Sequence, residues 1–271
     1  MGATLETFFT QDGYTRLTLL LLLGLPRLTG ALSVNPIFSG QIFSGQTKFA
    51  ICTAIFMIPA PALALELPSI MAFQLGWPYY MAIMIKETVV GLAIGWVSGM
   101  VFWAVQSAGF LMDNQRGSSM ATTQDPLSGE ETSPLGSMLF QGVAVAFFLG
   151  GGFVAYLRLI WASYAIWPLT AFVPAFGYGA GPLFFVSLVD WLMLQTLLLA
   201  GPVVAACLLT DVSLGLVNRF ASQLNVYVLS MPIKSGLAMF ILVSYYGALI
   251  ALSPELFEDL FEHLYQLTGA R

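Results

Sequence analysis

Two long uncharged runs flank one polar stretch near the middle of the chain. The first run extends from Thr88 to Met112 and the second from Thr132 to Leu157. About 20 apolar residues are enough for a helix to cross a bilayer, so each run is long enough to span a membrane. The pattern predicts two long helices joined by the polar stretch Asp113–Pro134.

The polar stretch reads DNQRGSSMATTQDPLSGEETSP and combines charged side chains with turn formers. Gly117, Asp125-Pro126 and Ser128-Gly129 favour turns, so the stretch does not continue either helix at low cost. Ser133-Pro134 has the form of an N-cap followed by proline at the first helical position, which predicts a helix start. Two interpretations fit: an aqueous hairpin loop between two spans, or a loop folded back into a cavity that it lines or obstructs.

The hydrophobic pattern predicts helices along most of the remaining chain. Proline affects two of them, because Pro26-Arg27 interrupts Leu17–Val34, and Pro59 and Pro61 break Phe49–Leu65. The first apolar run lacks the basic start and the small-residue cleavage site of a signal peptide, so we expect it to be retained. The other predicted helices are Tyr79–Met112 (the longest), Leu135–Trp167, Leu183–Thr210, amphipathic Asp211–Pro232, Lys234–Leu252 and an acidic amphipathic tail that begins at Ser253-Pro254.

Three glycines recur at four-residue spacing in the predicted helix before the polar stretch. Gly91, Gly95 and Gly99 therefore share one face of that helix. Small residues in this register allow a second backbone to approach closely, as in packed membrane helices. The spacing predicts a helix-packing face.

The composition places the chain among helical membrane proteins. Of its 271 residues 58% are hydrophobic and 8% are charged, whereas soluble domains carry about 25% charged residues. The net charge of −5 gives no reason to expect nucleic acid as a partner. Cys52 and Cys207 lie in apolar runs and are interpreted as buried hydrophobes, and with His263 as the one histidine we expect no metal site.

Several charged residues lie within or beside apolar segments, where charges pair with one another or line a water-filled path. Arg27 lies in the middle of a predicted helix, so we expect it to face protein or water. Arg158 and Asp190 are the sole charges in their long apolar runs, which makes them candidates for buried charges in a hydrated path. The sequence leaves open whether they pair or line a channel.

The chain lacks the common catalytic motifs. It contains no GxSxG, HExxH or P-loop pattern, and no GxGxxG after a predicted strand. A serine in the polar stretch has no nearby histidine to activate it, and a nucleophile without a base gives little catalysis. We therefore expect a protein that is not an enzyme and needs no cofactor.

The polar motif DNQRGSSMATTQDP, Asp113–Pro126, is similar to that of the T component of type III secretion export apparatuses, the SctT/FliR family. Two further blocks agree with this resemblance: KETVVGLAIGWVSG at Lys86–Gly99, and DVSLGLVNRF followed by QLNVYVLSMPIKSG within Asp211–Gly236. The similarity to the family in the order of these segments extends over nearly the whole chain. The DNQRG form resembles the injectisome branch, since flagellar members are more apolar there.

The resemblance implies an all-α core subunit of the export gate in the bacterial inner membrane. Family members resemble an R-type subunit fused to an S-type subunit, and they complete a helical ring of SctR and SctS, much of it on the periplasmic side. It also implies contacts with SctU, SctV and the inner rod or needle base, and passage of unfolded substrate proteins. The chain would be one domain, residues 1–271, with kinked helices over 17–167, helical hairpins over 183–252 and the acidic tail 253–271.

The resemblance further implies a plug loop that closes the channel, within residues 113–134. Met120 would form its apolar tip, and Asn114, Gln115 and Arg116 would hold it closed through hydrogen bonds. The predicted plug residues are Asp113, Asn114, Gln115, Arg116, Gly117, Ser118, Ser119, Met120, Asp125 and Pro126. The predicted packing and assembly residues are Gly91, Gly95, Gly99, Lys86, Glu87, Asp211, Arg219, Asn225, Pro232 and Lys234.

The alternative hypothesis is a stand-alone transporter or channel that uses Asp190 and Arg158 in a hydrated path. It predicts a complete pathway within one chain, often with inverted repeats. The sequence contains no convincing inverted repeat. Co-purification discriminates between the two hypotheses, because a gate subunit requires R-type and S-type partners.

Overall fold

The computed structural model describes residues 11–39, 45–63, 77–117, 123–124, 131–169, 171–172, 181–221 and 226–268. These residues are almost entirely helical, which confirms the predicted all-α fold. The helices are α1 (Gln11–Val34), α2 (Pro36–Ser39), α3 (Gly45–Phe56), α4 (Ala60–Leu63), α5 (Trp77–Arg116), α6 (Pro134–Leu149), α7 (Gly152–Ile166), α8 (Gly181–Phe220) and α9 (Val226–Thr268).

One minimal antiparallel ladder interrupts the helical pattern. Strands β1 (Thr123–Gln124) and β2 (Glu131–Thr132) pair so that Thr123 lies opposite Thr132. Both strands belong to the polar segment between α5 and α6. Two residues on each side do not change the fold class.

Among the described residues three helices, α5, α8 and α9, are long and apolar enough to cross a membrane, judged by length and composition. In α8 only 28% of the most apolar window is buried within the chain, and in α9 only 17%. Most of the apolar surface of these two helices is therefore open to lipid or to neighbouring proteins.

The chain folds as two compact units that share α5 and α9. The first comprises Met1–Gly99, Val154–Tyr178 and Leu264–Arg271, and the second comprises Met100–Phe153 and Gly179–His263. The boundary at Gly99 lies within α5, so one continuous helix contributes to both cores.

In the first unit, the glycine face of α5 lies directly on the backbone of α1. A Cβ on Gly91 would meet the carbonyl of Arg27, with the carbonyl carbon at 2.8 Å, and a Cβ on Gly95 would meet Ala31 in the same way. The approach is reciprocal, because a Cβ on Gly30 would come within 2.9 Å of the Thr88 carbonyl oxygen. Gly99, the third glycine of the series, is buried. The glycine spacing thus corresponds to a helix contact within this chain.

In the second unit, α8 and α9 form an antiparallel hairpin. The Trp191 indole donates to Asp259 Oδ2 at 2.6 Å, and the Tyr245 hydroxyl donates to the Leu199 carbonyl at 3.1 Å. These partners follow one another in opposite order along the two helices. Phe257 of α9 also packs on Phe102 and Phe147, with ring centroids 5.1 Å and 4.8 Å apart, and so joins α5 and α6 to the hairpin.

Four predicted helix boundaries are wrong. α8 runs unbroken past Asp211 to Phe220, and α9 continues through Pro232. Proline is accommodated inside a helix at the other two places as well. α1 continues through Pro26-Arg27, and α9 continues through Ser253-Pro254 into the tail. Proline at position 254 cannot donate to the carbonyl of Ile250. The Ser253 hydroxyl donates to that same oxygen at 2.7 Å, so the acceptor stays satisfied and the helix continues.

Conversely, the predicted single helix Leu135–Trp167 is wrong. α6 ends at Leu149 and α7 begins at Gly152. Gly151 adopts a φ of 76°, a conformation that glycine reaches without steric cost and that ends an α-helix. The run of three glycines is therefore a helix break, although its flanks are continuously apolar.

Candidate functional site

The two ends of the polar segment are tied together by the carboxylate of Asp113, in the last turn of α5. Its Oδ2 accepts from the Leu135 amide at 3.0 Å, and its Oδ1 accepts from Arg116 Nε at 2.6 Å. Asp113 is 3% exposed, so both interactions lie away from water. We call Asp113–Gly117 together with Ser133–Gly136 the loop base.

The loop base satisfies the amides that open the first turn of α6. Ser133 is the N-cap, and its hydroxyl accepts from the Gly136 amide at 2.8 Å. Pro134 has no amide hydrogen, and Asp113 accepts from Leu135, so each first-turn donor is satisfied or absent. This confirms the helix start predicted from Ser133-Pro134.

Helix α5 extends further than the sequence indicated. Asp113–Arg116 is helical rather than part of the loop, and Gly117 ends the helix with a φ of 82°. The physical reason is the ion pair between Asp113 and Arg116, which stand three residues apart on one helix face and stabilise the last turn. The loop therefore begins at Gly117.

Close packing reinforces the loop base. A Cβ on Gly109 would meet the backbone of Gly136 and would lie 2.7 Å from the carbonyl carbon of Leu135. α5 and the start of α6 therefore touch backbone to backbone here. The chain therefore leaves α5 at Gly117 and enters α6 at Ser133 at positions that are held together by the loop base.

The predicted plug residues divide into two groups. Ser118, Ser119, Met120, Asp125 and Pro126 lie outside the described residues. Asn114, Gln115, Arg116 and Gly117 are described: the Asn114 side chain is exposed, Gln115 is half-buried, and Arg116 makes the bond to Asp113.

The first unit contains a second polar site, a buried ion pair between Arg27 of α1 and Glu87 of α5. Arg27 Nε donates to Glu87 Oε2 at 2.6 Å and its Nη2 donates to Oε1 at 2.9 Å, a bidentate geometry. Both side chains are fully buried. This confirms that the arginine in the middle of the first helix faces protein.

Further contacts extend this pair to α7 and to the turn that follows it. Arg27 donates to the Ser163 hydroxyl at 3.0 Å and to the Trp167 carbonyl at 2.8 Å, and its guanidinium lies 4.1 Å from the centroid of the Tyr164 ring. The Arg27–Glu87 network thus joins three helices. Sequence reasoning singled out Arg27 and Glu87, but it missed Ser163 and Trp167, which carry no signal in an apolar helix.

Lys86 completes the network. Its Nζ lies 2.7 Å from Glu87 Oε1 and donates to the carbonyls of Pro168, Leu169 and Ala171 at 3.0–3.1 Å. These carbonyls belong to the turn after α7, where oxygens lack helical donors. Lys86 therefore holds that turn against α5.

Arg158 and Asp190, the predicted buried charges, are not covered by other parts of the described chain. Both side chains are exposed on their own helices, α7 and α8. The charges face lipid, water or another protein.

The assembly residues predicted in the C-terminal half lie mainly at the surface of the second unit. Lys234 pairs with Asp211 at 2.9 Å, in a partly exposed bridge. Arg219 and Pro232 are exposed, the latter inside α9. Asn225 lies outside the described residues.

The two cysteines agree with the sequence interpretation, since Cys52 and Cys207 are buried free thiols. For Cys52, in α3, burial raises the pKa of the thiol to about 11. At neutral pH it therefore stays protonated, and a protonated thiol is a poor nucleophile.

Known proteins resemble the chain over most of its length. The family model of bacterial export proteins, family 1, matches residues 18–261. The Yop proteins translocation protein T of Yersinia pestis is 38% identical over 224 residues, 82% of this chain and 83% of that protein. The surface presentation of antigens protein SpaR of Salmonella typhimurium is 28% identical over 248 residues, 91% of this chain and 88% of that protein.

A flagellar protein is also similar. The flagellar biosynthetic protein FliR of Bacillus subtilis is 31% identical over 166 residues, 61% of this chain and 64% of that protein. The matching family model covers well over half of the chain, and the relatives include a FliR protein, from the family that the polar motif resembles. The chain therefore belongs to the bacterial export proteins, family 1, the T/FliR family of type III export apparatuses.

Proposed function

We propose that this protein is a non-enzymatic core subunit of a type III secretion export gate, and that its segment between Gly117 and Ser133 is a plug that closes the channel. The observation that carries the proposal is the bond from the Leu135 amide to Asp113, which fixes both ends of the segment at one place. A plug needs an immobile base, because a passing chain then displaces the tip without opening the surrounding helices. The names of the relatives, among them a translocation protein and a secretion system apparatus protein, support the setting.

The apolar faces of α8 and α9 support a multi-subunit assembly. Much of their surface is uncovered within the chain, including Leu197, Leu209 and Phe240, which are 61–72% exposed. R-type and S-type subunits would cover these faces, and SctU, SctV and the inner rod would bind the completed gate. Arg158 and Asp190 would then face neighbouring subunits or the channel, where charges are hydrated or paired. The assembly would lie in the inner membrane, largely on its periplasmic side.

The Arg27–Glu87 network supplies a rigid wall for such a gate. A fully buried ion pair is retained only where hydrogen bonds compensate the loss of hydration. Here Arg27 and Lys86 donate to further oxygens outside the pair, and the Glu87 carboxylate contacts both cations. We propose that this rigidity confines movement during transport to the plug.

The test is ion leak through the assembled gate. The protein is co-expressed with its R-type and S-type subunits, and conductance is measured in planar bilayers for the wild type, for a deletion of residues 117–123, and for a variant with those residues replaced by glycine and serine at equal length. We expect the deletion to raise conductance above background. The length-matched replacement reports how much of the closure depends on side chains.

Two outcomes would contradict different parts of the proposal. If the deletion variant assembles normally and its conductance stays at background, the segment is not a plug. If the tagged protein purifies without R-type and S-type subunits, the proposed multi-subunit assembly is wrong.

A further inference from the structure

An apolar groove of about 750 Å³ runs along α1 in the first unit, between α1, α3 and the start of α5. Its lining on α1 extends from Thr18 to Ser33. At 1.5 Å per residue this is about 22 Å of helix, more than the roughly 15 Å of one bilayer leaflet. The volume lies within the range of about 300–1,000 Å³ that small-molecule sites occupy.

The surface of the groove is more apolar than its residue types suggest, because its hydroxyl groups bond to their own helices. Thr29 donates to the Leu25 carbonyl at 3.1 Å, Thr53 to Phe49 at 2.8 Å and Thr88 to Met84 at 2.8 Å. Ser33 donates to Thr29 in the same manner at 2.6 Å. Because these hydroxyls already donate to backbone carbonyls, they are not free to bind a polar ligand.

Lys48, in the first turn of α3, is the only charged residue among the described residues that line the groove. It also borders a smaller adjoining cavity of about 40 Å³ beside Leu32 and Phe38, at the C-terminal end of α1. Within the part of the chain that the structure describes, Lys48 forms no ion pair or hydrogen bond. Lys48 is half-buried and lies at one end of a long hydrocarbon surface.

We propose that this groove binds one anionic phospholipid, with its phosphate at Lys48 and an acyl chain along α1. Charge complementarity selects an anionic headgroup, because the described residues of the lining include one cation and no carboxylate. The apolar length selects an acyl chain, because each methylene removed from water favours binding. A helix of a partner protein fits less well. A helix is about 10 Å across, so a helix as long as the groove has a larger volume than the groove itself. The proposal does not depend on the export role.

The test is native mass spectrometry of the full chain in detergent, with phosphatidylglycerol or phosphatidylcholine added at equal concentrations. We expect one phosphatidylglycerol to be retained, and Lys48→Gln to weaken its binding about fivefold. Binding of phosphatidylcholine should change little in the same variant. The matched control is Arg158→Gln, which removes an exposed cation of the same unit outside the groove and should leave binding unchanged.

A second variant tests the acyl-chain part of the site. Thr29→Trp keeps Lys48 but fills the groove, so it should reduce retention of both lipids. A photoreactive residue in place of Leu22, which lines the groove and is 46% exposed, should react with lipid in membranes. The proposal is overturned if Lys48→Gln binds like the wild type, if Arg158→Gln loses as much affinity, if Thr29→Trp still retains lipid, or if the residue at 22 reacts with a protein chain.

Discussion

The Asp113 carboxylate accepts the Leu135 amide at 3.0 Å, across the whole polar segment of the chain. One acidic residue at the end of α5 therefore both closes the loop base and caps the next helix. Its second oxygen holds Arg116 and so extends α5 by one turn. A residue that looked like the first member of a loop is the anchor of that loop.

Replacing Asp113 by alanine should destabilise the second unit. The Leu135 amide would be buried without an acceptor, and Arg116 would lose its partner, so we expect a cost of about 1–3 kcal/mol. Thermal unfolding in detergent, followed by tryptophan fluorescence, measures this change. Asp113→Asn is the matched control, because it keeps an oxygen that can accept from Leu135 and should lose less. Equal midpoints for the alanine variant and the wild type would argue against the anchoring role.

Removing one partner of the Arg27–Glu87 pair should be among the most damaging substitutions in the first unit. Glu87→Ala leaves a fully buried guanidinium without its carboxylate, with an expected cost of about 3–5 kcal/mol. Combining Glu87→Leu with Arg27→Met removes both charges. This double variant should lose less stability than the sum of the losses measured for Glu87→Leu and Arg27→Met separately. A double-mutant cycle from thermal or denaturant unfolding gives the coupling energy. Strict additivity would show that the pair contributes no specific interaction.

Adding a side chain to the glycine face of α5 should lower the stability of the first unit. Gly95→Ala places a methyl group against the Ala31 backbone, so we expect a loss of about 1–3 kcal/mol, and Gly95→Leu should prevent folding and incorporation into a complex. Gly215→Ala in α8 is the matched control, since a Cβ there meets nothing within 4 Å. In that open position alanine should stabilise the helix by about 0.5–1 kcal/mol. Recovery of intact complex from Gly95→Leu would contradict the packing argument.

The bridge between Lys234 and Asp211 should matter little for the stability of the isolated chain. It is partly exposed, and exposed ion pairs contribute about 0–1 kcal/mol. We therefore expect Lys234→Gln to shift the unfolding midpoint only slightly, while co-purification of R-type and S-type subunits reports any role in assembly. A loss of stability comparable to that of Glu87→Ala would show that the bridge belongs to the core.

The sequence by itself determined the helical membrane class, the glycine face of α5 and the start of α6. These features depend on local rules: hydrophobic runs of sufficient length, four-residue spacing, and the order of an N-cap serine and a proline. The polar motif Asp113–Pro126 is also a short continuous stretch of sequence, and its similarity to the T/FliR family could be recognised without the structure.

Only the tertiary structure decided which helices continue and which charges pair. Pro254 did not end α9, because the neighbouring Ser253 hydroxyl replaces the missing amide at the Ile250 carbonyl, whereas three glycines ended α6 within an apolar run. Arg27 and Glu87 lie 60 residues apart, and their pairing depends on the approach of α1 to α5 that Gly91 permits. Arg158 and Asp190 stayed exposed because burial depends on what covers a helix face, which no periodicity within that helix encodes.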